Sequence, residues 1–172
     1  LLNVTANSTM FRDGKFRETL EEKVEAHDLI CIGSPVYEKH IEWYVKKIFK
    51  SLPKPNSKWG ALAIPFVTYG GVSSGIALPE AVKMLKKSGR TPIAAMKIES
   101  SHIVSNKLTA RVNEGMPGVE ALPFVSELVA RISEAETNHG QVKDFSKQLN
   151  YHNKKEKMVC GIMKESLLHK YK

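Results

Sequence analysis

The chain has 172 residues, of which 42% are hydrophobic and 26% charged. That composition fits one ordinary globular domain and excludes a mostly disordered chain, a collagen-like chain and a disulfide scaffold. The formal net charge is +8, and most of it sits at one end: residues 139–172 carry eight lysines against three acids. A run of this kind reads first as a solvated helical face, and second as a docking surface for an acidic partner. It has no aromatic platform or recognised motif for nucleic acid, so no nucleic-acid partner is expected. The longest apolar run, residues 61–67, is far too short to cross a bilayer as a helix. No basic-then-apolar leader opens the chain, and Cys31 and Cys160 lie 129 positions apart without metal-ligand spacing. The expectation is a reduced, cytoplasmic setting without membrane attachment.

Taken in chain order, residues 1–5 form a weak strand candidate. Residues 29–32, Leu-Ile-Cys-Ile, are a short apolar run ended by Gly33. Ile41, Tyr44, Val45 and Ile48 then repeat at helical spacing. Residues 61–67 form a second apolar run, in which Pro65 predicts a bulge or an unpaired position because proline has no N–H for a ladder. Leu78, Ala81, Val82 and Leu85 mark a second helix, with Lys86 and Lys87 in its last turn and Gly89 as its cap. A third strand is expected over residues 92–98. A third helix carries Val125, Leu128, Val129 and Ile132, with Pro123 suited to its first turn. The polar stretch 134–143 is the expected boundary before a basic tail, whose own stripe is Val159, Ile162, Met163 and Leu167. The division is therefore 1–138 as the main domain and 139–172 as a basic helical extension.

Continuous apolar runs, rather than alternating ones, are what strands covered on both faces show. Their alternation with helices predicts an α/β fold with parallel strands at 29–33, 61–67 and 92–98, adjacent in that order. In such sheets ligands bind beyond the carboxyl ends of the strands. Two segments there have unusual composition. Gly33, Ser34, Pro35, Val36 and Tyr37 read as a tight turn that presents small polar groups and then an aromatic ring. Residues 68–75 hold three glycines and three hydroxyl side chains beside Tyr69, suited to close approach by a flat ligand. Each alone is also what an ordinary strand-to-helix turn looks like.

The run Asp28-Leu29-Ile30-Cys31-Ile32-Gly33-Ser34-Pro35-Val36-Tyr37, followed by Phe66-Val67-Thr68-Tyr69-Gly70-Gly71 and a helix, resembles the flavodoxin-like family. It is most similar to flavodoxin-type domains that are fused to, or work with, ferredoxin-type iron–sulfur modules. The resemblance spans residues 1–131. It implies a doubly wound parallel sheet in the order 2-1-3-4-5 with FMN at its carboxyl edge. By matching position, Ser34, Pro35, Val36 and Tyr37 would form one wall of the flavin-ring site, and Thr68, Tyr69, Gly70 and Gly71 the other.

The family's phosphate-binding loop, a Thr-Gly-Asn/Ser-Thr run, has no match. Residues 6–10, Ala-Asn-Ser-Thr-Met, have hydroxyls but no glycine. Between residues 10 and 28 there is no room for a first helix and a second strand. Residues 1–5 therefore fit the family's second strand, and its first strand, phosphate loop and first helix are expected upstream of Leu1.

Other residues offer less. His102 could reach the edge of the site. Cys31 and Cys160 read as inert small hydrophobes, Cys31 within a buried strand. Trp43 and Trp59 read as packing. Asp28 and Glu38 lack a second carboxylate for acid–base work. No nucleophilic triad or pair is present. The expected function is an FMN-binding electron-transfer domain with an iron–sulfur or other redox protein as partner, the redox chemistry being the flavin's. The alternatives are a flavin-dependent NAD(P)H:quinone-type reductase and a flavin-free binding module of the same fold.

Overall fold

The computed structural model describes residues 29–55, 60–71, 73–101, 113–138, 149, 154–155 and 158. The elements are β1 (Ile30–Tyr37), β2 (His40–Ile41), α1 (Trp43–Ser51), β3 (Leu62–Tyr69), α2 (Ala77–Lys87), β4 (Thr91–Pro92), β5 (Met96–Glu99), a 3-10 turn (Val119–Ala121) and α3 (Leu122–Thr137). The expected strand at residues 1–5, the hydroxyl run 6–10, Asp28, Trp59, His102, Cys160 and the apolar stripe of the tail lie outside the described residues. No helix among the described residues is long and apolar enough to cross a membrane.

The sheet is mixed. β3 is central and pairs in parallel with β1 on one side and with β4 and β5 on the other. The three apolar runs are thus parallel and adjacent in the expected order. β2 pairs antiparallel with the end of β1. The strand expected at 92–98 is split in two, and Pro65 explains where. Ala63 O accepts from Ile93 N at 3.0 Å, and Tyr69 O accepts from Ser100 N at 2.9 Å. Backbone groups alternate sides along a strand, so the nitrogen of Pro65 also faces that flank. It has no proton to give, and opposite it residues 93–95 leave the ladder between β4 and β5. The unpaired position expected at Pro65 is therefore on this side only; on the other side Pro65 stays in register with Ile32.

Alternation along β3 divides the core. Ala63 and Val67 join Ile32, Val45, Phe49, Leu78, Ala81 and Leu85 under α1 and α2. Ile64 joins Ile93, Ala94 and Ala135 under α3. α2 forms as its pattern dictates: Leu78, Ala81, Val82 and Leu85 are all buried, and Gly89 follows the helix at φ +85°. Each fully buried Leu, Ile or Val contributes roughly 1.5–3 kcal/mol. α1 starts later than its stripe, because Ile41 is spent on β2 and Phe49 takes up the burial instead. Glu42 caps α1, accepting from Tyr44 N at 2.7 Å and Val45 N at 3.3 Å.

Two expectations need correcting. Cys31 is exposed, not buried. Strand alternation puts it on the α3 side, and α3 covers β3 and residues 93–94 rather than β1. Although the residue is exposed, desolvation around its sulfur pushes the thiol above its ordinary pKa, which disfavours the reactive thiolate. On α3, Leu128 and Ile132 pack on the core as expected, whereas Val125 and Val129 are exposed.

Candidate functional site

The segment after Gly33 is not a turn. Ser34, Pro35, Val36 and Tyr37 continue β1, and the chain reverses at Glu38 and Lys39. Both turn residues have left-handed φ, +46° and +72°, as a two-residue hairpin turn requires. Neither is the Asn or Gly that usually signals such a turn, so composition alone did not reveal the hairpin.

Alternation now sorts the first wall. Ser34 and Val36 face the α1–α2 core, while Pro35 and Tyr37 are exposed. The Ser34 hydroxyl is buried and used internally: it donates to Pro35 O at 2.8 Å and accepts from Glu42 N at 3.0 Å. It serves to seat α1. The side chains of this wall that an external ring can meet are those of Pro35 and Tyr37.

The second wall begins at the carboxyl end of β3. Thr68, Tyr69 and Gly70 are half-buried and Gly71 is exposed. Tyr69 Oη donates to Glu99 Oε1 at 2.8 Å, tying the ends of β3 and β5 together. The left-handed φ values fall on Gly71, at +82°, and Gly75, at +52°, and not on Gly70. At Gly71 a β-carbon would overlap the side-chain amide of Asn113. At Gly75 it would overlap the backbone of Lys39.

That last contact joins the two loops. Ile76 N donates to Lys39 O at 2.8 Å, so the segment leading into α2 lies against the hairpin turn. Glu80, one turn into α2, strengthens the junction. Its Oε2 accepts from Ile41 N at 3.2 Å and lies 3.4 Å from His40 Nδ1, and its Oε1 lies 3.0 Å from Lys46 Nζ. The two segments picked out by composition are therefore neighbours at the carboxyl ends of the adjoining parallel strands β1 and β3.

Sequence reasoning missed three contributors. Lys39 and Glu80 hold the loops together. Asn113 stands against Gly71, at φ +57° in the turn 113–115, with its side-chain nitrogen buried and without a hydrogen-bond partner among the described residues. The signal for Asn113 was the turn-forming pair Asn113 and Gly115; nothing local placed that turn beside β3. Among the described residues no group of His, Cys, Asp and Glu could hold a metal ion.

An unpaired buried amide is costly, and a ligand carbonyl accepting from Asn113 Nδ2 would relieve the cost. That donor and the exposed ring of Tyr37 fit the edge of a flat heterocycle such as the flavin ring. Residues 6–10, the hydroxyl run compared with the family's phosphate loop, lie outside the described residues. No family model and no curated protein matches this chain.

Proposed function

We propose that this chain binds FMN with its ring between the loop ending at Tyr37 and the loop at 68–71, and passes electrons to or from an iron–sulfur or other redox partner. The observation that carries the reading is the junction of the two loops at Lys39 and Gly75, at the carboxyl edge of parallel strands. When bound, the flavin supplies the electron-transfer chemistry. The chain's own residues position it: Pro35 and Tyr37 bound one side, Gly70 admits the ring, and Asn113 Nδ2 donates to a ring carbonyl. No proton transfer by a side chain is required. The flavodoxin-like arrangement suggested by the sequence resemblance belongs to the same proposal.

One observation favours a second reading, a flavin-free binding module. Protein atoms, those of Asn113 and Lys39, already account for two of the loop's glycines. Flavin content separates the two. The account expects purified protein to be yellow and to release stoichiometric FMN on acid denaturation. Colourless protein that leaves the fluorescence of added FMN unquenched would favour the module.

A further inference from the structure

Charge is segregated across the sheet. Residues 43–55 and 77–90 form α1, α2 and the segments that follow them, and hold eight basic residues and one acid, Glu80. Residues 113–138 form α3 and the segment before it, and hold five glutamates and one arginine. α1 and α2 pack on one face of β3, and α3 packs on the other. The two faces are thus of opposite sign, and the basic one is separate from the lysines of residues 139–172.

The helical period produces this face. Val45 and Phe49 fix the inward side of α1, and Leu78, Ala81 and Leu85 that of α2. Lys47, Lys50, Lys54, Lys83, Lys86 and Lys87 are all exposed. Glu80 is already taken by Lys46, at 3.0 Å, and among the described residues no carboxylate pairs with any of the six. Like charges gathered on one face repel one another, and an acidic surface brought against them relieves that repulsion. At the start of α1 the lysines meet two aromatic rings. Tyr44 is exposed and Trp43 half-buried, and Lys47 Nζ lies 4.2 Å from the ring centre of Trp43 and 5.6 Å from that of Tyr44.

We propose that the outer face of α1 and α2 docks an acidic protein surface, with Trp43 and Tyr44 as its aromatic anchor and the exposed lysines as a rim that steers the partner in. Tryptophan and tyrosine anchors within a polar rim are the usual anatomy of a protein interface, and rim charges act chiefly on the rate of encounter. Two other polyanions fit less well. Single-stranded nucleic acid stacks its bases on open rings, whereas the Trp43 ring is engaged by Lys47 and by Tyr44, whose ring centre is 3.5 Å away. An anionic membrane takes up apolar side chains set among the lysines, whereas the exposed Leu122, Phe124, Val125 and Val129 lie on α3, across the sheet. The proposal does not depend on the flavin reading.

The test uses the full chain and three probes: a labelled polyglutamate, a thymidine oligonucleotide of the same length, and phosphatidylcholine vesicles carrying phosphatidylserine. Polyglutamate is expected to bind at about 20 mM salt and to weaken at least about tenfold by about 200 mM, as screening shortens the reach of the lysines. Lys50→Glu combined with Lys87→Glu, one exposed position from each helix, should lower the affinity for polyglutamate about tenfold or more. Lys154→Glu combined with Lys155→Glu makes the same change of charge at exposed positions of the tail and should lower it by less than about threefold. Gln at positions 50 and 87, which removes the charges without reversing them, should give a smaller loss in the same direction, with an unchanged far-UV spectrum. No binding of polyglutamate at low salt, equal losses in the two double Glu variants, or tighter binding of the oligonucleotide or the vesicles than of polyglutamate would each overturn the proposal.

Discussion

Gly75→Ala should destabilise the protein by about 3 kcal/mol or more, in urea or thermal unfolding. Left-handed φ in a residue with a β-carbon costs about 1–2 kcal/mol. The new methyl would also overlap the Cα and carbonyl oxygen of Lys39, which are backbone atoms and cannot swing away. Relief means pulling the hairpin turn from the start of α2, with loss of the Ile76–Lys39 hydrogen bond, about 1 kcal/mol more. Gly115 is the control: its φ is +84°, but nothing lies within 4 Å of its missing β-carbon. Gly115→Ala should cost only about 1 kcal/mol. Equal effects at the two glycines would mean that the loops are not held together as described.

Leu85→Ala should cost about 2–5 kcal/mol. Leu85 is at 0% exposure on α2, in the cluster with Ala63, Val67 and Phe49. The cavity left behind is bounded by β3, the most extensively paired strand, so the surroundings can relax little. The same helix bears Glu80, so any shift of α2 is transmitted to the hairpin. Val125→Ala on α3 removes a side chain that is 42% exposed and should cost well under half as much. Urea midpoints at unchanged slope measure both variants. A Leu85→Ala loss no larger than that of Val125→Ala would contradict the assignment of the core.

The sequence pattern was most informative where burial is one-sided and continuous. The stripe Leu78, Ala81, Val82 and Leu85 specifies α2 without ambiguity, and three apolar runs specify three parallel strands. It was least informative where a single side chain's direction decides. Continuous apolarity in β1 hides the fact that Cys31 and Ile32 point to opposite faces, only one of which is covered among the described residues. Pro65 was legible as a fault in a ladder; the flank on which the fault falls depends on the phase of pairing, a property of the sheet. The candidate loops were legible as composition. Their junction was not, because Lys39 and Glu80 look like surface charges in sequence and act through partners about 40 positions away. Ser34 illustrates the same limit, since its hydroxyl is committed to the start of α1.

Gly70 is the position at which the flavin reading can be separated from turn chemistry. Unlike Gly71 and Gly75, it has no left-handed φ to require glycine. If the ring of FMN lies against it, a side chain there obstructs the ligand and leaves the fold comparatively untouched. The decisive measurement is FMN titration of the full chain and of Gly70→Val, each paired with urea unfolding of its flavin-free form. The account predicts a fall in FMN affinity of about a hundredfold or more, equivalent to ~2.7 kcal/mol or more, with unfolding stability lowered by no more than about 1 kcal/mol. FMN affinity equal in the two proteins would contradict it.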